Sequence, residues 1–334
     1  MTLLFPIGYT SASIQITPFY YYVLLFRAYL QRHVQLVMNN SSIEQQRIGS
    51  YTLHRLLGSS DVAEVYQGEH VLFHTTVAIK IITLREKDDI TRFLDRASRL
   101  VHLRHPHIVS VQDYGAQDGK AFLVMDYAPN GTLRQRHPKG TLVPLPAVVA
   151  YVQSIAAALG YVHRQNLVHR DVKPHNMLIG AQNEIMLSDF GSAVTPLSLS
   201  PEQDYTEEFE GTVLYAAPEQ LQGNPRRASD QYALGMAVYE WLSGDCPFKG
   251  TFEAITRQHF FAPPPPLHRQ RPDLPAEVEH VIMKALAKEV EQRFPDIEAF
   301  AQALQQAAGI PQVASSEIAP RTKRQFMLPR PFSS

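Results

Sequence analysis

The sequence holds a single cysteine, Cys246, in 334 residues. One thiol closes no internal disulfide and builds no multi-cysteine zinc site, so an apolar core must stabilise the chain, in a reducing compartment or without a redox role. An excess of charge is missing too: 31 basic side chains stand against 32 acidic ones, a formal net charge of −1. That balance gives no basic stripe for nucleic acid, and no nucleic-acid partner is expected. The 14 histidines fall into no zinc spacing; His102, His105 and His107 lie close together but without a cysteine or HExxH context. Long apolar runs are absent from the start of the chain. Met1 to Phe26 has no charged residue, yet its apolar stretch, Phe19 to Phe26, is less than half the ~20 residues a spanning helix needs. The cations Arg27 and Arg32 follow that stretch, where a signal peptide would place them before it. Residues 1–40 therefore read as a leader, either disordered and upstream of a true start at Met38 or lying on a membrane surface through Tyr20, Tyr21 and Tyr22. The expected location is the cytoplasm, with membrane association through residues 1–40 as the alternative.

Residues 41–50 are mostly polar and read as a linker. Strand patterns follow at Tyr51 to Leu57, Ala63 to Gly68 and Val77 to Ile82, and again near Ile108 to Tyr114 and Ala121 to Asp126. Between them Phe93, Ala97 and Leu100 recur at helical spacing. From Val148 onward the pattern is helical. Val149, Val152, Ile155, Leu159 and Val162 make one stripe, and Tyr232 to Leu242 is apolar nearly all round, as in a buried helix. Val278 to Ala285 and Phe300 to Leu304 give two more helices, and Pro263 to Pro266 is an extended, polyproline-like loop. The predicted fold is α+β: a small β-rich lobe over 51–128 and a larger helical lobe over 129–308, ahead of a basic, proline-containing tail over 309–334.

Chemistry gathers in four short motifs. Val77-Ala78-Ile79-Lys80 is a strand whose alternation sets Ala78 and Lys80 on one face, a small residue and a cation suited to a flat base and a phosphate chain. His169-Arg170-Asp171-Val172-Lys173-Pro174-His175-Asn176 supplies a carboxylate for a hydroxyl proton, a lysine for a phosphate and an amide for a divalent metal. Asp189-Phe190-Gly191 adds a second metal-seeking carboxylate, and Ala217-Pro218-Glu219 closes the segment.

In this order and spacing the motifs resemble the protein kinase superfamily, in detail the bacterial Hanks-type serine/threonine kinases, over roughly Tyr51 to Ala308. The resemblance implies a bilobal fold with ATP in the cleft, Mg²⁺ (Mn²⁺ as the alternative) as cofactor, and phosphoryl transfer to serine and threonine hydroxyls of substrate proteins that the sequence does not name. It implies that Asp171 accepts the hydroxyl proton, Lys173 offsets charge on the transferring group and Lys80 binds the phosphates. Asn176 and Asp189 would hold the metal. ATP would be enclosed by Leu57, Gly58, Val65, Ala78, the gatekeeper Met125, and the backbone of Asp126 and Ala128. Arg170 would sense a phosphate on the activation segment, with Thr206 the expected acceptor; Thr212 belongs to the same regulatory set. Glu219 and Arg293 would form a buried ion pair, and Asp230 would brace the catalytic loop. Pairing of two copies through the small lobe is left open.

Two elements depart from the family. The phosphate-covering loop, which should read GxGxxG, is Gly58-Ser59-Ser60-Asp61-Val62-Ala63, with only the first glycine in place. The helical glutamate that should pair with Lys80 falls, by counting back from His105-Pro106, on Arg96, with Asp95 beside it and Asp88 and Asp89 further off. These losses open a second reading, a pseudokinase scaffold with weak or no transfer.

Overall fold

The computed structural model describes residues 46–60, 63–83, 87–190 and 212–311, with 87–89 as backbone alone. The leader 1–40, Asp61, Thr206 and most of the tail lie outside the described residues.

The small lobe is a six-stranded antiparallel sheet of β1 (Arg47–Ile48), β2 (Tyr51–Ser59), β3 (Ala63–His70), β4 (Thr76–Thr83), β5 (Val111–Gln117) and β6 (Lys120–Asp126), ordered β1-β2-β3-β4-β6-β5. Alternation decides its two faces: Val77, Ile79 and Ile81 of β4 are buried with Leu53, Tyr66, Phe122 and Val124, while Ala78 and Lys80 turn to the opposite side. The stretch expected to be linker contains β1. Ile48 is buried and Gly49, at φ 55, makes the turn that lets Arg47 pair with Thr52, so one apolar residue and one glycine override a polar composition. Helix α1 (Lys87–Leu100) lies against this sheet through Phe93, Ala97 and Leu100, the stripe read from the sequence.

The large lobe holds α2 (Leu133–Arg136), α3 (Leu145–Arg164), the two-stranded β7 (Met177–Ile179) and β8 (Ile185–Leu187), α4 (Pro218–Leu221), α5 (Arg227–Ser243), α6 (Phe252–Phe261), α7 (Ala276–Ala285) and α8 (Ile297–Ala307). Among the described residues α3 is long and apolar enough to cross a membrane, but half of its apolar stretch is buried inside the lobe. Helix α5 is buried on every side from Ser229 to Leu242, which explains its lack of an amphipathic period. Its capping position, Gly244, sits at φ 86. A buried central helix of this kind is a fixed post on which other loops can hang, and Asp230 near its start serves that end.

Candidate active site

The catalytic-loop motif is built around the Asp230 carboxylate, which is 1% exposed. It accepts the His169 backbone N–H at 2.9 Å, the Arg170 backbone N–H at 2.8 Å and His163 Nε2 at 2.8 Å. These bonds hold Arg170 at φ 69, a left-handed conformation that a non-glycine residue adopts only when its surroundings impose it. His169 then bridges two motifs. Its Nδ1 accepts the Asp171 N–H at 3.2 Å, so its Nε2–H donates to the Ser188 carbonyl at 2.9 Å. Asp189, at φ 63, follows directly.

The side chains converge from there. Asn176, in the 3₁₀ turn Pro174–Asn176, donates its amide to the Asp171 carbonyl and to Asp171 Oδ2, both at 2.8 Å. Lys173 Nζ lies 3.0 Å from Asp171 Oδ1 and 2.8 Å from the Thr212 hydroxyl, which itself stands 3.4 Å from Asp171 Oδ1. Lys80 Nζ is 2.7 Å from each oxygen of Asp189. Burial by itself would raise the Asp189 carboxyl; the Lys80 ammonium, with His169 and Lys173 near, outweighs it and holds the group at about 2. With its amide hydrogens spent on Asp171, Asn176 keeps an amide oxygen that, with the Asp189 carboxylate, is an all-oxygen donor pair suited to a hard divalent cation. Among the described residues no group of three His, Cys, Asp or Glu could hold a metal alone, so phosphate oxygens would complete such a shell.

Of these residues Lys80, Asn176 and Asp189 border a cleft of about 620 Å³ between the lobes. Leu57, Gly58, Val65 and Ala78 line it from the small lobe, Met125, Asp126 and Ala128 from the connection, and Lys80, Asn176 and Asp189 at the polar end. The Asp126 N–H is committed to the Ser110 carbonyl at 3.0 Å, which narrows what Asp126 offers a base to its own carbonyl. Where the loop after Gly58 lacks glycine, Ser60 closes the turn instead: its N–H reaches the Ala63 carbonyl at 2.7 Å and its hydroxyl accepts the Ala63 N–H at 3.1 Å.

Arg96 is half-buried on α1, and Asp95, the nearest expected substitute for the missing acid, is exposed and sits 3.5 Å from Arg99 on its own helix. The described acid on Lys80 is Asp189. Glu219 and Arg293, expected to pair, meet through two 2.8 Å bonds; Gln220 Nε2, which the sequence did not single out, donates to the Arg170 carbonyl at 2.7 Å.

The sequence reading missed a second buried network. Arg134 of α2 pairs with Glu240 of α5, Nη1 to Oε1 at 2.7 Å and Nη2 to Oε2 at 2.8 Å, and the Tyr215 hydroxyl donates to Oε2. Partners 106 residues apart leave no local signal; the only cue was a charged residue, Glu240, inside the otherwise apolar stretch Tyr232 to Leu242.

A family model described as "Protein kinase domain" matches residues 51–307. Serine/threonine-protein kinase PrkC of Bacillus subtilis is 37% identical over 256 residues, 75% of this chain and 39% of that protein. Serine/threonine-protein kinase PknF of Mycobacterium tuberculosis is 37% identical over 278 residues, covering 78% and 57%, and PknB of the same organism is 34% identical over 254 residues, covering 73% and 40%. The chain thus spans between about two fifths and three fifths of these relatives. A solved structure, Rad53 1-466 in complex with AMP-PNP, superposes with a TM-score of 0.62 at 24% identity over 76% of this chain and 65% of that one, a likeness of fold.

Proposed function

The chain belongs to the protein kinase family, and from that premise we propose that it is a serine/threonine protein kinase, transferring the γ-phosphoryl group of ATP to protein hydroxyls. The observation that carries this reading is that Lys80, Asn176 and Asp189 line the polar end of one cleft, with Asp171 and Lys173 bonded directly behind Asn176. Asp171 receives the hydroxyl proton and orients the attacking oxygen, while Lys173, next to it, balances negative charge on the group in flight. Lys80 anchors the phosphate chain. Asn176 and Asp189 would hold Mg²⁺, with Mn²⁺ able to use the same oxygens; the ion supplies charge neutralisation at the phosphates. Serine/threonine selectivity is supported by Thr212, whose hydroxyl joins Lys173 to the Asp171 carboxylate. The small lobe is assigned to 47–128, its first strand lying in the stretch expected to be linker, the large lobe to 129–308, and the work of the chain to the cytoplasm, with membrane contact through residues 1–40 as the second reading. Arg170 receives the phosphate of an activated segment, Thr206 being its assigned site. The test is incubation of the full chain with Mg²⁺ and γ-labelled ATP: self-labelling is expected, and nucleotide binding without any transfer would overturn the reading in favour of a scaffold.

Arg96→Glu measures the effect of the missing helical acid. An acid at this half-buried position would hold Lys80 and free Asp189 for metal, so the transfer rate is expected to rise about fivefold, the scale of one partly exposed ion pair. An unchanged or lower rate would mean that another acid already serves Lys80. Pairing of two copies is assigned to the β3–β4 turn, where Leu72 is 77% exposed and Phe73 57% exposed. Sedimentation at tens of micromolar protein should show a dimer that Leu72→Asp converts to monomer; a wild-type monomer would remove the assignment.

A further inference from the structure

Arg134 and Glu240 form a buried ion pair that the mechanism does not use, their side chains 13% and 3% exposed. Taking two charges out of water is costly, and apolar side chains of the same volume often stabilise a core as well or better. The pair is also imperfectly satisfied, since Arg134 Nε is buried with no partner among the described residues. Its geometry serves a third group. The Tyr215 hydroxyl accepts from Arg134 Nη2 at 2.6 Å and donates to Glu240 Oε2, so its hydrogen and a lone pair are both taken by charged partners. Burial, then Cys246 and Glu240, push the Tyr215 phenol well above its ordinary value of 10, which keeps the group a donor.

From Tyr215 the chain reaches the reacting groups within three residues. The Tyr215 N–H donates to the Thr212 carbonyl and the Ala216 N–H to the Val213 carbonyl, each at 3.2 Å, closing two successive turns. The Thr212 hydroxyl accepts from Lys173 Nζ at 2.8 Å and stands 3.4 Å from Asp171 Oδ1. One end of this segment is therefore fixed by a charge pair on two helices, α2 and α5, while the other lies against the proton acceptor and its neighbouring lysine. Helix α2 also packs on the 3₁₀ turn Pro174–Asn176, so it braces the catalytic loop from a second side. We propose that Tyr215 is a positioning residue for phosphoryl transfer: oriented by Arg134 and Glu240, its hydroxyl locks the 212–216 turns so that the Thr212 hydroxyl holds Lys173 against Asp171. This rests on the kinase reading and extends it to three side chains that do not line the cleft.

Tyr215→Phe tests it, because it removes the hydroxyl and leaves the Arg134–Glu240 pair neutral. With the full chain, Mg²⁺, ATP and casein as acceptor, kcat is expected to fall about tenfold, the scale of a buried hydrogen bond to a charged group, while KM for ATP changes by less than about twofold. Thr212→Val keeps the side-chain shape and loses its hydroxyl, so it should lower kcat at least as much. The double variant should then be no slower than Thr212→Val alone, because both changes break one connection. Losses that multiply, a wild-type kcat in Tyr215→Phe, or a loss carried by KM alone would overturn the proposal. Hydrogen exchange gives a reading independent of transfer: in Tyr215→Phe the amides of 169–176 should exchange faster along with those of 212–217, and acceleration confined to 212–217 would overturn it as well. If the wild type labels neither casein nor itself while the exchange still spreads to 169–176, the bracing of the loop stands and the transfer reading falls.

Discussion

Asp171→Asn is expected to lower phosphoryl transfer by about 10²–10⁴-fold, the usual contribution of a positioned proton acceptor, while changing nucleotide affinity by less than about twofold. The substitution keeps the shape of a side chain that is 11% exposed and held on both oxygens. It removes the charge that Lys173 faces at 3.0 Å and places an amide N–H₂ where only acceptors fit, against either Lys173 Nζ or Asn176 Nδ2. The hydroxyl of a substrate then finds neither a base nor a fixed orientation. Lys80, Val65, Ala78 and Met125, which line the nucleotide part of the cleft, are untouched. Initial rates with labelled ATP and nucleotide-dependent thermal stabilisation separate the two effects. A variant that transfers phosphate at the wild-type rate would mean that Asp171 is not the proton acceptor and that the catalytic loop works in some other way.

How much of this was legible beforehand varied with the range of the interaction. The strands with alternating residues and the α1 stripe were readable because strand and helix periods act over a few residues. The motif residues were readable as a set because their spacing is itself the signal; Asp171, Lys173 and Asn176 bond to one another, and Lys80 bonds to Asp189. What could not be read was who neutralises whom. Lys80 lies 109 residues from Asp189 and Arg134 lies 106 from Glu240; the first pairing depends on how the lobes meet and the second on how the helices of the large lobe pack. Asp95 shows the same limit from the other side: it is one residue from the right place, but ~100° of helical rotation turns it to solvent beside Arg99. The strand at Arg47–Ile48 was hidden because one buried isoleucine, not composition, decides it.

The Glu219–Arg293 pair should show the largest effect on stability, and the two halves should fail differently with pH. Arg293, with its side chain fully buried, donates to both oxygens of Glu219 and to the carbonyls of Ala287, Ala228 and Lys288, and its guanidinium lies 4.9 Å over the Tyr232 ring. Glu219→Ala leaves that cation buried without its counter-charge, which costs about 3–5 kcal/mol, a large part of a typical domain's ~5–15 kcal/mol. Arginine cannot shed its proton in a protein, so no change of pH repairs this variant. Arg293→Met instead leaves a buried carboxylate, and a carboxylate can be neutralised. In the wild type, burial works to raise the Glu219 carboxyl but the bonds from Arg293 and Ser229 prevail and hold it below its ordinary value of 4.5. Its contribution is therefore present above that value and is lost as pH falls through the folded pKa. Without Arg293 the same burial raises the folded pKa above 4.5, so the sign reverses: the penalty is full at neutral pH and shrinks as acid is added. Urea midpoints at pH 7 and pH 5 should thus rise on acidification for Arg293→Met and stay low at both for Glu219→Ala. Identical pH responses in the two variants would show that the lost carbonyl bonds, and not the stranded charge, set the cost.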